Sequence, residues 1–335
     1  MYSMYSIKPF WIKDNIWQED ERIKKAREII APKIAKALDD TNIFFDGQDL
    51  EHQVLFRMTT YPEEEAFKKI DEIFDEQLYI TKERMVEADT SPSDLFRLGH
   101  RRTDEKEWKL KWANGREHLI AEEIGGSKKR RVVWRQVEGD EKDRLDAIVN
   151  DYHYIHCSRG KGWTIGFYFE DEDLPFAIEQ IEPCSVSRDY KRAMMELLGV
   201  DVKKGVEITR FYTIPNTPKM VIGIRDKVAE KVLKQEGKRW MFTSVMPVFA
   251  KTKATTIAGG MDIPIFAKEL KIKFYRRPDG RYKFCVNRKR EMLGNPPVIE
   301  NEWSLFPVIE MMRPFHPMIR AKFKNPNRIY YVQKE

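Results

Sequence analysis

Residues 206–214 read VEITRFYTI, and this stretch decides the fold. Its β-branched and aromatic residues alternate with polar ones, which is typical of a strand inside a sheet. Two charged residues, Glu207 and Arg210, interrupt the otherwise apolar pattern. Because charges are rarely buried without a partner, they form either a structural ion pair or part of a functional site.

Strand geometry predicts how these side chains are distributed. Successive residues of a strand point to opposite faces of the sheet, so Glu207, Thr209 and Phe211 are expected on one face. Ile208 and Arg210 are then expected on the other face. The carboxylate and the guanidinium would therefore lie on opposite sides of the sheet.

The segments around this strand alternate between helix and strand. Residues 223–235 form a predicted amphipathic helix that ends at Gly237, and residues 240–248 form the next strand. The other elements predicted from residue 141 onward are a helix at 141–150, a hairpin of 163–169 and 175–182, a helix at 191–198, and a hairpin of 263–276 and 281–286.

The first part of the chain favours helices. Apolar residues recur at helical spacing in 19–38, where Pro32 is expected to kink or split the helix. A second helix is predicted at 62–79, and residues 41–55 are interpreted as a loop or short strand. The predicted fold class is α+β, with a central mixed sheet flanked by helices and a helical N-terminal region.

The predicted domain organisation has three parts. They are a helical N-terminal region at 1–95, a basic, tryptophan-containing connector at 96–140, and a domain at 141–335 that ends in a basic extension. At 335 residues with 41% hydrophobic content, the chain is long enough for about two domains with a real core. Residues 1–95 are a candidate surface for a protein partner.

Charge is unevenly distributed. Residues 1–100 carry 14 Lys and Arg against 21 Asp and Glu, a net charge of −7, and residues 101–200 carry 18 against 20, a net charge of −2. Residues 201–335 carry 28 against 13, a net charge of +15. Such a basic region favours a polyanionic partner, although a solvated basic face is the alternative.

The basic region suggests nucleic acid, with DNA favoured, as the partner. Rings and positive charges interleave there, as expected for stacking on bases and pairing with phosphates, although ordinary strand alternation gives the same pattern. The candidate contacts, including a basic loop in the connector, are Lys128, Arg130, Arg276, Arg277, Arg281, Arg288 and Arg290.

Other classes of function find little support in the sequence. No apolar run approaches 18 residues, so no membrane partner is expected, and three scattered cysteines make a disulfide framework improbable. These features favour a cytoplasmic protein. No spacing typical of a metal site is present, so no metal is assigned, and no glycine-rich nucleotide loop or serine nucleophile elbow is found.

The order of the elements from residue 141 resembles the acyl-CoA-dependent N-acyltransferase (GNAT) fold, with 206–214 as the central strand. The tract 152–154 (YHY), the hairpin 163–182 and the run 207–211 (EITRF) resemble more narrowly the phage Mom family, which modifies adenine bases in DNA. The resemblance covers about residues 145–275. It implies a GNAT-like mixed sheet, and a phage-encoded protein acting in the host cytoplasm.

The resemblance also implies a cofactor and its contacts. The cofactor would be acetyl-CoA or another acyl-CoA, with its pantetheine arm along the strand that contains Phe211 and Thr213. The pyrophosphate would lie at the start of the next helix, at Ile222, Gly223, Ile224 and Arg225. In the Mom family the strand arginine is functionally important, and it corresponds to Arg210.

Acyl transfer to an amine needs a base and donors for the oxyanion. His153 is a candidate base because its ordinary pKa lies near neutrality, with a structural histidine as the alternative. Glu207 is a second candidate, and Ser244 is a candidate donor. The predicted function is transfer of an acyl-type group to a nucleobase amine in DNA.

Two alternatives stay open. Only one glycine stands in the loop expected to hold the pyrophosphate, and no tyrosine lies between Thr255 and Met261 where the Mom family has one. Both departures favour an inactive GNAT-like subunit that binds nucleic acid. The other alternative is a protein or small-amine N-acetyltransferase in which the basic charge serves the phosphates of CoA.

Overall fold

The computed structural model describes most of the chain, with gaps. The described residues are 5–11, 21–40, 47–90, 107–116, 118–153, 158, 162–184, 201–213, 217–245, 261, 263–271, 273–276, 280–285, 305–316 and 328–334. The predicted helix at 191–198 lies outside them.

The described residues form six α-helices and thirteen strands. The helices are α1 (Glu21–Asp39), α2 (Gly47–Met58), α3 (Glu63–Lys68), α4 (Ile70–Thr90), α5 (Gly139–Tyr152) and α6 (Val221–Gln235). The strands are β1 (Tyr5–Trp11), β2 (Trp108–Ala113), β3 (His118–Glu123), β4 (Lys129–Val137), β5 (Trp163–Phe169), β6 (Ala177–Pro183), β7 (Gly205–Thr213), β8 (Trp240–Val245), β9 (Ile263–Lys271), β10 (Lys273–Arg276), β11 (Tyr282–Cys285), β12 (Leu305–Pro314) and β13 (Arg328–Lys334).

Eleven of the strands form one mixed sheet. Their order is β1-β13-β9-β12-β8-β7-β6-β5-β4-β3-β2, and β7 with β8 and β13 with β9 are the parallel pairs. The strand that the sequence singled out, β7, therefore lies in the interior of the sheet. The predicted α+β class, with a central mixed sheet flanked by helices and a helical N-terminal region, is confirmed.

The helices of the N-terminal region pack through apolar faces. Ile23, Ala26 and Ile30 of α1 are fully buried, and so are Leu50 and Val54 of α2. Spacing of three and four residues places such side chains on one stripe of a helix, which packs against its neighbours.

Two local predictions in this region were wrong. Residues 47–55, part of the stretch 41–55 predicted as loop or short strand, belong to helix α2, because their apolar residues find partners in α1 and α4. The helix predicted at 62–79 is two helices with a break at Lys69. Helix α1 continues through Pro32 without splitting, and the alternative of a kink there stays a prediction.

The sheet extends across the predicted domain boundaries. Strand β1, which the sequence analysis did not predict, pairs antiparallel with β13 at the other end of the chain. The predicted connector contributes β2, β3 and β4 to the same sheet. The predicted boundaries at 95 and 140 stay predictions.

The later strands follow their predictions with one change. The hairpin of β5 and β6 and the strand β8 are confirmed, β8 within the described residues up to Val245. The predicted strand 263–276 is two strands: β9 joins the large sheet, and β10 pairs with β11 as the predicted hairpin.

Candidate functional site

Among the described residues, the parallel strands β7 and β8 pair only along the first half of β7. Their pairing runs from Gly205 and Trp240 to Ile208 and Thr243 and then ends, although β7 continues to Thr213. The second half of β7 remains paired to β6 on its other side. Alternate residues of a strand turn their N–H and C=O groups to each side, so these groups lack a strand partner on the β8 side among the described residues.

A β-bulge lies where this pairing ends. Gln180 of β6 is opposite Arg210, but the next residue, Ile181, is opposite Ile208, so Thr209 is the extra residue. Side chains of a strand normally alternate between the two faces of the sheet. The extra residue shifts this alternation by one position, so residues after the bulge point to the face opposite to the one expected from the residues before it.

The bulge corrects the predicted distribution of side chains. Glu207 is opposite Glu182 and Arg210 is opposite Gln180, and these two residues of β6 share one face. Opposite residues of an antiparallel pair point to the same face. Glu207 and Arg210 therefore share a face, and Phe211 lies on the other.

Helix α5 covers the face that carries Glu207 and Arg210, and both side chains are 7% exposed. On this face the amide Nε2 of Gln180 donates to Asp146 Oδ1 of α5 at 2.6 Å. Lys142 Nζ lies 2.7 Å from the other oxygen of Asp146. An amide, a carboxylate and a cation therefore contact one another between α5 and the sheet, on the face that carries Glu207 and Arg210.

His153 ends α5 on this same face. It is buried, and its backbone N–H donates to the carbonyl of Val149 at 3.1 Å. The ring of the preceding Tyr152 stacks on Tyr212, two residues beyond Arg210, with centroids 6.0 Å apart. The structure thus brings His153, Glu207 and Arg210 to one side of the sheet, and the catalytic roles predicted for them stay predictions.

Sequence reasoning missed Asp146 and Gln180. Aspartate is too frequent in this chain to single out, and a lone glutamine carries no catalytic signal. The one usable sign was the spacing of Lys142 and Asp146, which places them one helical turn apart as a pair.

The opposite face of β6 and β7 is covered by α6. Glu179 of β6 is opposite Phe211 on this face. The guanidinium carbon of Arg225 lies 3.9 Å from the centroid of the Phe211 ring, within the range of a cation–π contact. Arg225 Nε lies 3.0 Å from Asp226 Oδ1, so the two side chains form an ion pair. The pair does not have the geometry of a hydrogen bond.

Glu179 and Asp226 are fully buried, and none of their carboxyl oxygens has a hydrogen-bond partner among the described residues. Burial raises the pKa of Glu179 to about 8, against the attraction of Arg225, and repulsion from Asp226 adds to the rise. Burial also raises the pKa of Asp226 to about 6, opposed by Arg225 and Arg313. Sequence analysis did not single out either carboxyl group.

Helix α6 begins without a side-chain cap. Met220 precedes it in the left-handed conformation, with φ of +73°, and supplies no side-chain cap to the first turn. The free N–H groups and the dipole of a helix start favour an anion. The predicted phosphate-binding backbone of Ile222, Gly223 and Ile224 lies in this turn. Arg225 is 8% exposed and faces the core.

The other predicted cofactor and donor residues lie near the end of the described pairing between β7 and β8. Phe211 and Thr213 belong to the half of β7 for which no pairing with β8 is described, and both are partly exposed. Ser244 is exposed on β8, one residue beyond the last pair with β7. The roles predicted for these three residues stay predictions.

The predicted nucleic-acid residues of the hairpin contact the helical N-terminal region. Arg276 Nη2 lies 3.5 Å from Glu76 Oε1 of α4, and Arg281 is 4% exposed. Arg281 is therefore placed in the interior, away from the surface that a polyanion would contact. Arg277, Arg288 and Arg290 lie outside the described residues.

The two basic residues predicted in the connector differ in their surroundings. Lys128 is exposed in the turn between β3 and β4. Arg130 donates to Asp171 and Glu172 at 2.6 and 2.5 Å, and its guanidinium carbon lies 3.8 Å from the ring centroid of Phe169. These contacts occupy Arg130 within the protein.

No group of three His, Cys, Asp or Glu side chains within the described residues could hold a metal ion. No helix in the described part of the chain is long and apolar enough to cross a membrane.

Comparisons with solved structures find N-acetyltransferases at low similarity. The ribosomal-protein-S18-alanine N-acetyltransferase of Escherichia coli has 10% identity and a TM-score of 0.30. The match covers 55% of this chain and 94% of the acetyltransferase chain. FeeM, an N-acyl amino acid synthase from uncultured soil microbes, has 8% identity and a TM-score of 0.33, covering 58% and 96%. The structure of yncA from Salmonella typhimurium, named as an acetyltransferase with its cofactor acetyl-CoA, has 10% identity and a TM-score of 0.31, covering 56% and 95%.

TM-scores of this size do not establish function. No protein-family model and no curated protein sequence matches the chain. The narrower resemblance to the Mom family stays a prediction.

Proposed function

We propose that the protein transfers an acyl group from an acyl-CoA to a primary amine. The observation that carries this proposal is that the described pairing of β7 with β8 ends at Ile208, while Phe211, in the second half of β7, contacts Arg225 near the start of α6. Such an arrangement would offer strand backbone to an amide-containing arm and helix N–H groups to a phosphate. Buried polar groups lie on both faces of the sheet here.

The residues present fit an acyl-CoA in part. The backbone of 209–213 would bind the pantetheine arm, and the first turn of α6 would bind the pyrophosphate. Arg225 is placed in the core and does not support the phosphate contact predicted for it. When bound, acyl-CoA supplies the activated carbonyl group.

The α5 face of the sheet supplies groups for the amine. In the reaction, the amine nitrogen bonds to the carbonyl carbon while the C–S bond breaks, the amine proton passes to a base, and the thiolate takes up a proton. Glu207 and His153 are the candidate bases on this face, and Arg210, on the same face, would hold a base in its charged form or orient the acceptor.

For the acceptor we propose a nucleobase amine in DNA. Support comes from the net charge of +15 on residues 201–335 and from the exposed side chains of Lys128 and Arg276. A base in a duplex must be extruded before it reacts, so the acceptor site would have to admit a flipped base. A protein or small-molecule amine is the competing acceptor.

The test measures thiol release from acetyl-CoA by the full chain with three acceptors: duplex DNA, a lysine-containing peptide and a small aromatic amine. Nucleosides from the treated DNA are then analysed by mass spectrometry. We expect thiol release that depends on the acceptor and is lost in Arg210→Ala. The control variant Arg131→Ala should keep it, because the side chain of Arg131 is 56% exposed.

The outcomes separate the alternatives. A new nucleoside mass supports DNA as the acceptor, whereas thiol release only with the peptide or the small amine refutes DNA but supports acyl transfer. Salt-dependent DNA binding without CoA binding or thiol release would refute acyl transfer and favour the inactive binding subunit.

A further inference from the structure

A row of lysines follows the outer side of helix α6. Lys227, Lys231 and Lys234 are exposed, and the steps of four and three residues between them place all three on one stripe of the helix. No other charged residue of α6, the whole of which is described, is exposed. At a rise of about 1.5 Å per residue, the row is about 10 Å long.

More cations continue the row beyond the end of α6. Lys238 and Arg239 follow the helix, and Lys238 Nζ donates to the carbonyl of Lys203, just before β7, at 3.1 Å. The backbone N–H of Arg239 donates to the carbonyl of Lys204 at 2.9 Å. The stretch 201–204 therefore lies against the end of the row, and we call the stretches 201–204 and 227–239 together the lysine surface.

Positive charge exceeds negative charge on the lysine surface. Its two stretches carry seven Lys and Arg against three Asp and Glu, a net charge of +4. Glu230 lies 2.6 Å from both Lys234 and Arg313 of β12, and Asp201 lies 3.8 Å from Lys204. The remaining cations of this surface form no ion pair with any described residue; they are Lys203, Lys227, Lys231, Lys238 and Arg239.

The lysine surface has no exposed apolar centre. The large hydrophobic side chains exposed in the described part of the chain are Tyr79, Ile124 and Met220, and none belongs to it. The rings beside Lys231 and Lys238, which are those of Trp112 and Trp163, pack against the core.

This composition favours one class of partner. Protein interfaces are rich in aromatic residues and poor in lysine, and a helix that lies on a membrane needs an apolar face. Single-stranded nucleic acid is held largely by stacking on exposed aromatic rings. The phosphate backbone of a duplex needs only cations and other hydrogen-bond donors, which the lysine surface offers.

Other helices present different charges to solvent. The exposed charged residues of α4, as far as Glu83 where the description of its side chains ends, are all acidic. Helix α1 exposes lysines and carboxylates together. A polyanion is therefore attracted to α6 and repelled by α4, which fixes the side of the protein that it approaches.

We propose that the lysine surface holds the phosphate backbone of duplex DNA. Over about 10 Å, one strand presents about three phosphates along the axis of the duplex, which matches the row of three lysines. The inference rests on the proposed function only in taking DNA, and not another polyanion, as the partner. Because α6 covers the face of the sheet opposite to Glu207 and Arg210, the surface anchors the protein to DNA outside the reacting site.

The experiment measures the affinity of the full chain for a fluorescein-labelled DNA duplex of mixed sequence at increasing KCl concentrations. The logarithm of the association constant falls linearly with the logarithm of the salt concentration, with a slope of about −0.9 for each phosphate contact. The slope therefore counts the contacts that a set of lysines makes.

Two triple variants carry the same change in net charge. Lys227→Gln/Lys231→Gln/Lys234→Gln is expected to reduce the steepness of the slope by about 2 to 3 and to weaken binding at about 0.1 M salt at least tenfold. Lys24→Gln/Lys25→Gln/Lys36→Gln, at exposed positions of α1, is expected to match the unmodified chain. Because all six lysines are exposed, neither variant is expected to lose its fold.

The results separate the surface from the reaction. An unchanged slope in the α6 variant, or an equal reduction in both variants, would overturn the inference and leave acyl transfer to DNA standing. Slopes as expected, without thiol release from acetyl-CoA, would support the inference and refute the proposed function. No DNA binding by the folded chain would overturn both the surface and DNA as the acceptor, but not acyl transfer to another amine.

Two further measurements address other occupants of the surface. Tighter binding of an RNA duplex of the same sequence would overturn DNA as the partner. A dimer that the chain forms without DNA, and that the α6 variant loses in sedimentation, would place the acidic face of a second copy on the lysine surface and would also overturn the inference.

Discussion

Gln53 joins the helical N-terminal region to the C-terminal hairpin. Its Nε2 donates to the carbonyl of Tyr282 at 3.1 Å, and the Tyr282 N–H donates to its Oε1 at 2.6 Å. The two residues are 229 positions apart in sequence, and they are 1% and 2% exposed. The side chain therefore replaces a missing strand partner for the backbone of β11.

The change Gln53→Ala removes both hydrogen bonds and leaves a buried N–H and a buried C=O unpaired. Each such group costs about 1–3 kcal/mol, so we expect the free energy of unfolding to fall by about 3 kcal/mol, since water entering the small cavity offsets part of the loss. The measurement is equilibrium unfolding of the full chain in urea.

Two further variants isolate the cause. Gln235→Ala, at an exposed position at the end of α6, is expected to change the free energy of unfolding by less than about 0.5 kcal/mol. Gln53→Leu keeps the volume but not the hydrogen bonds, so it is expected to lose nearly as much as Gln53→Ala. If Gln53→Leu were as stable as the unmodified chain, packing and not backbone pairing would hold the hairpin, and the reasoning would be refuted.

Three other predictions follow from the site. The pKa of Glu179 is raised from 4.5 to about 8, so the folded chain holds a proton that the unfolded chain loses, and the free energy of unfolding falls as the pH rises between these values. At 1.36 kcal/mol per pKa unit, the fall is about 3 to 5 kcal/mol. Urea titrations at pH 5, 7 and 9 measure it, and Glu179→Gln should make the free energy of unfolding nearly independent of pH over this range. Gly162→Ala should lower the free energy of unfolding by more than about 2 kcal/mol. The backbone φ of Gly162 is +115°, and the new Cβ would lie 2.0 Å from the carbonyl oxygen of Ile181. An unchanged melting temperature would contradict this prediction. Arg210→Lys keeps the charge but not the planar fork, so acyl transfer should fall at least tenfold with CoA affinity unchanged, and equal rates would show that charge alone suffices.

Local pattern predicted the elements that lie near the site. The strand at 206–213, the hairpin at 163–182 and the helix after the central strand are all present, because short-range periodicity reflects which side of an element is buried. The same reasoning failed for 47–55, whose helical state depends on partners in α1 and α4.

The sequence by itself determined that 206–213 is a strand and that its charges need partners. The tertiary structure alone decided that Glu207 and Arg210 share a face, because a bulge depends on how β7 registers with β6 and not on the order of residues in β7. It also decided that β1 pairs with β13 at the far end of the chain, and that Glu179 lies beside Arg225 and Asp226. Burial and long-range contact set the pKa of a carboxyl group, and neither property is visible in a chain with 54 acidic residues.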